Sequence, residues 1–93
     1  MTNFPFVEEI LEGKRIRTFS ADVDDEELVW HRDNEDRIVR VLSSEGWFLQ
    51  MDEKLPVELK QGDVHTIPKN SWHRVIRKRN CRDLVVEITA GIS

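Results

Sequence analysis

The stretch Gly62-Asp63-Val64-His65-Thr66-Ile67-Pro68-Lys69-Asn70-Ser71-Trp72-His73-Arg74-Val75-Ile76-Arg77 decides how the rest of the chain is read. Val64–Ile67 is rich in strand formers and is bounded by Gln61-Gly62-Asp63 and by Pro68, which are turn signals. A second strand-like run, Trp72–Arg77, follows. The spacing G-x5-P-x-N-x2-H-x3-R sets His73 just past the turn between the two strands. Asn70 is the best residue after glycine for a left-handed backbone at that turn.

Working outward, the same punctuation recurs every eight to twelve residues. Lys14–Ser20 alternates charged residues with apolar or hydroxyl ones. Leu28–His31 is short and apolar, and Ile38–Leu42 is rich in β-branched residues. Trp47–Met51 is aromatic and ends at a hairpin tip over Asp52-Glu53-Lys54. Val57–Lys60 alternates at period two, and Leu84–Thr89 is the last strand. Many short strands with regular turns predict an all-β sandwich or barrel, closed because a small open sheet invites aggregation. Only Phe6–Glu12, with Phe6, Ile10 and Leu11 at helical spacing, reads as a short N-terminal helix.

Gly62, Pro68 and His73 resemble the second motif of the cupin family, G-x5-P-x-G-x2-H-x3-N, with Asn70 for the glycine and Arg77 for the asparagine. The first cupin motif, G-x5-H-x-H-x3or4-E-x6-G, has a weaker counterpart. His31 stands at its first histidine, Asp33 at the second, Arg37 at the glutamate and Ser44 at the closing glycine, with Gly46 available for the turn. The resemblance covers about residues 28–88. It implies an antiparallel double-stranded β-helix, the RmlC-like jelly-roll barrel, over one domain spanning residues 1–93.

Residues i and i+2 of a strand share a face, so His31 and Asp33 project together. In cupins the histidine of the second motif meets them from a neighbouring strand. The resemblance therefore implies a set of His31, Asp33 and His73 holding a divalent metal (Fe, Mn, Zn or Ni) with positions left open. Arg37 cuts against it. A guanidinium cannot ligate a metal, and an inward Arg37 would pair with Asp33. The alternative is a metal-free cupin with Arg37 in the cation's place, which binds a small ligand or serves as a dimeric structural protein. Arg37, Arg77, Gln50, Trp30 and Trp47 are the candidate ligand-binding residues. The expected ligand is a small polar or anionic molecule. A third reading is an oxygenase dependent on 2-oxoglutarate, with Arg82 nine residues beyond His73 as its cosubstrate arginine.

Composition bounds the rest. The 93 residues carry a net charge of −4, with 39% hydrophobic and 34% charged residues. That balance suits one small globular core and argues against a dedicated nucleic-acid binder. The basic cluster Arg74, Arg77, Lys78, Arg79 and Arg82 reads as a solvated hairpin. No run approaches membrane-spanning length, and Met1–Phe6 lacks a signal-peptide pattern. The one cysteine, Cys81, fits a reducing, cytoplasmic setting. A homodimer is expected to cover barrel edges, with the N-terminal segment a candidate to add a strand to the partner.

Overall fold

The computed structural model describes residues 5–90. Eight strands follow in chain order: β1 (Phe6–Leu11), β2 (Lys14–Phe19), β3 (Arg37–Ser43), β4 (Trp47–Met51), β5 (Val57–Glu58), β6 (Val64–Ile67), β7 (His73–Arg77) and β8 (Leu84–Ala90). One 3-10 turn, Asp25–Glu27, is capped by Asp24, whose carboxylate accepts from the Glu26 N–H. A five-stranded sheet runs β1-β2-β8-β3-β6 and a three-stranded sheet runs β5-β4-β7, every pairing antiparallel.

Period-two alternation puts the apolar residues of the two sheets in contact. Trp47 and Leu49 of β4 meet Val41 of β3, and Leu84, Val86 and Ile88 of β8, with Phe19, Leu59 and Ile67 closing the core. Trp47 is fully buried, and its indole N–H donates to the Arg82 carbonyl at 2.5 Å. The chain passes close behind it at Gly46, which has φ +85°. A β-carbon there would lie 2.9 Å from that of Cys81, so only glycine fits.

The helix expected over Phe6–Glu12 is a strand instead. β1 pairs with β2 from Phe6↔Phe19 to Leu11↔Lys14. Glu12 and Gly13 join them with φ of 51° and 79°, the backbone of a two-residue hairpin turn. Phe6 and Ile10 fit period two as well as helical spacing, and seven residues are too few for a helix to hold itself. Ile10 and Leu11 do not form a buried helical face; they are 70% and 56% exposed on an open edge strand. Leu28–His31 is also not a regular strand. It is a loop held by one bridge, His31↔His73. Among the described residues, no helix is long and apolar enough to cross a membrane.

Candidate metal centre

The turn at Pro68–Ser71 brings the two sequence motifs together. Asn70 takes φ +63°, the left-handed backbone its identity predicts. From there its N–H donates to the Asp33 carbonyl at 2.6 Å. Three residues on, His73 opens β7 and exchanges both backbone hydrogen bonds with His31, each 2.9 Å. The rings meet edge to face, with centroids 4.3 Å apart. One ligand atom each from His31, Asp33 and His73 lies within 4.8 Å of the others.

Each imidazole is held in a defined tautomer. His31 Nδ1 lies 3.0 Å from the Val29 carbonyl and His73 Nδ1 lies 2.8 Å from the Ser71 carbonyl. A carbonyl can only accept, so each Nδ1 carries the proton and each neutral ring keeps a lone pair on Nε2. Burial holds His73 below its ordinary pKa of 6.5, and the His31 ring adds to the shift; the Ser71 hydrogen bond and Asp33 oppose it. The His73 lone pair faces Asp33 Oδ2 at 3.4 Å. That oxygen is buried and has no donor. Two electron-rich atoms facing each other out of water are stabilised by a cation between them.

Arg37 does not take this position. Its Nη1 lies 3.1 Å from Asp33 Oδ1, the other carboxylate oxygen. Its Nε lies 3.1 Å from Glu35 Oε1, which also takes Arg15 Nη2 at 2.6 Å. A chain of ion pairs thus runs Arg15–Glu35–Arg37–Asp33 and fixes the carboxylate while leaving Oδ2 free. The donor set and the orphan oxygen together fit a divalent metal. Hydrogen bonds from Arg15, then Arg37, hold the Glu35 pKa below its ordinary 4.5. The folded state therefore binds fewer protons than the unfolded one, and this stabilisation is present above pH 4.5 and fades as pH falls through the lowered value. Glu35→Gln is expected to cost under about 1 kcal/mol at pH 7, because the pair is partly exposed. In urea titrations over a pH series, the gap to the unaltered protein should close on acidification.

A cavity of about 450 Å³ opens from this centre into the barrel. His31, Asp33, Arg37 and His73 lie along it, as the sequence expects, and so does Arg17, which no sequence motif marks. Arg17 alternates inward on β2 beside Phe19; its Nε contacts Glu8 at 2.7 Å, and its guanidinium lies over the Phe6 ring at 4.1 Å. The other candidate ligand residues lie outside the cavity. Gln50 accepts from Arg74 at 2.9 Å and donates to the Lys54 carbonyl at 3.0 Å. Trp30 sits under the Arg74 guanidinium at 4.6 Å, and Trp47 is core. Arg77 ties down the loop before β3, donating to the Ala21 carbonyl and pairing with Asp25, each at 3.0 Å. Arg82, exposed and paired with Glu45, does not line the cavity either.

No known family profile matches the chain, and no curated protein matches it. Solved structures do. A cupin-like protein from Thermotoga maritima superposes with a TM-score of 0.65, at 21% identity over 90% of this chain. The DMSP lyase DddQ from Ruegeria pomeroyi gives 0.72 at 18% identity over 92%. A cupin domain from Bordetella pertussis gives 0.64 at 20% identity, covering 99% of both chains. The chain spans 65% of the Thermotoga protein's length and 46% of the lyase's. Two antiparallel sheets closed around a buried Trp47, and these superpositions, agree: the chain has the cupin fold, an RmlC-like double-stranded β-helix.

Proposed function

We propose that the protein binds one divalent metal through His31 Nε2, Asp33 Oδ2 and His73 Nε2, and uses it to hold a small molecule in the barrel. The observation that carries this is the buried Asp33 Oδ2, without a donor and 3.4 Å from His73 Nε2. Two histidines and one carboxylate leave coordination positions open, the pattern of sites that engage a ligand rather than of closed structural sites. A metal so bound would supply a Lewis acid at the wall of a largely apolar cavity. Elemental analysis of protein purified without a metal-affinity tag should find close to one metal per chain, restored by dialysis after chelation. Substoichiometric metal that dialysis does not raise would sink the proposal.

The Arg37–Asp33 ion pair, 3.1 Å long, favours a second reading. There the guanidinium is the resident cation, and the barrel binds its ligand without metal. The same dialysis separates the two, since on this reading the chain takes up no metal at any pH. The single free cysteine, Cys81, supports a reducing, cytoplasmic setting for either; localisation of a tagged chain by fractionation tests it.

A further inference from the structure

We infer that the ligand is an apolar monocarboxylate, its carboxylate at the metal and its body inside the barrel. This rests on the metal reading and adds the chemical class. Thirteen of the nineteen residues lining the cavity are apolar. The body of the cavity is made of inward side chains such as Phe19, Leu49, Leu59, Val75, Val86 and Ile88. Four lining residues are charged, Arg17, Glu27, Asp33 and Arg37; Arg17 pairs with Glu8, and Arg37 pairs with Asp33 and Glu35.

The fixed charges of the lining, Arg17 and Arg37 against Glu27 and Asp33, cancel one another, so a bound divalent metal leaves an excess of positive charge that attracts a carboxylate. A carboxylate is a hard oxygen donor suited to a divalent cation beside imidazole. The volume, about 450 Å³, is in the ordinary range for small-ligand pockets, roughly 300–1,000 Å³. A sugar or other many-hydroxyl ligand would leave its hydroxyls against hydrocarbon without partners. The sequence leads to a small polar or anionic ligand, and the walls narrow this to an anionic head on an apolar body.

The test uses the full chain loaded with Co(II), whose visible bands report a new oxygen ligand. Acetate, butanoate, hexanoate, octanoate and octanol are titrated by calorimetry and by the Co(II) spectrum. Affinity is expected to rise about three- to fourfold per added methylene until the cavity is filled. Octanol should bind at least about tenfold more weakly than octanoate, and metal-free protein should not bind octanoate measurably. Val75→Phe places a ring in the cavity and should shift the preference to shorter acids with metal uptake unchanged. Affinity independent of chain length, octanol equal to octanoate, or equal binding with and without metal would overturn this inference alone. A chain that takes up no Co(II) would overturn the metal reading, and this inference with it.

Discussion

His73→Ala is expected to lower metal affinity by at least about 100-fold. Losing a group that only orients a metal ligand already costs 10–100-fold, and this change removes a ligand outright. His73 is 5% exposed and starts β7, so the histidine lost is inside the barrel. The truncation also leaves a gap beside the His31 ring, and circular dichroism of the same sample must show the fold retained. Asp33→Asn is the companion variant. It keeps the shape, removes the charge, and should lose metal to a comparable degree. Under the metal-free reading neither substitution changes bound metal, because there is none to lose. Equilibrium dialysis with elemental analysis distinguishes the cases; full metal occupancy in a folded His73→Ala protein would refute the ligand assignment.

The legible part of the site was carried by spacing. Pro68, Asn70 and His73 stand at fixed steps along a turn and a strand, and steps along the chain become positions in space when the turn geometry is fixed. Asn70 reaching back to the Asp33 carbonyl, with the His31–His73 backbone bridge, is the physical link between the two motifs. Arg37 was legible for the same reason, although sequence could not say which carboxylate oxygen it would occupy. The walls and Arg17 were harder to read. Lys14–Phe19 alternates with arginines at 15 and 17, and a basic residue normally marks the solvent face. Here those arginines turn inward because Glu8 and Glu35 meet them. Trp47–Met51 is apolar at successive positions, so its parity was ambiguous; Phe48 faces outward under Lys78 at 5.6 Å. That register sends Trp47 and Leu49 into the core and Gln50 to the outside. The N-terminal hairpin is hidden in the sequence because Glu12-Gly13 is a weaker turn signal than Asn-Gly, and Phe6, Ile10 and Leu11 imitate a helical face.

Trp47→Ala is expected to remove most of the stability of the fold. The side chain is fully buried, packs on Phe19 with ring centroids 5.8 Å apart, and holds the Arg82 carbonyl through its indole N–H. Emptying a site of this size costs about 3–5 kcal/mol, and leaving a carbonyl unpaired adds about 1–3 kcal/mol where water cannot reach it. A chain of this length has roughly 5–14 kcal/mol in total. Urea unfolding should therefore show a midpoint moved close to zero denaturant, with Trp47→Phe intermediate because it keeps a ring and loses the N–H. The ligand-contact role that sequence allowed predicts the opposite separation: an unchanged midpoint and weakened octanoate binding. The outcomes diverge because Trp47 belongs to the packed core and does not line the cavity. Leu49, two residues on along the same strand, reaches the cavity wall, whereas the Trp47 indole packs behind it on Phe19 and the Arg82 carbonyl, away from any ligand.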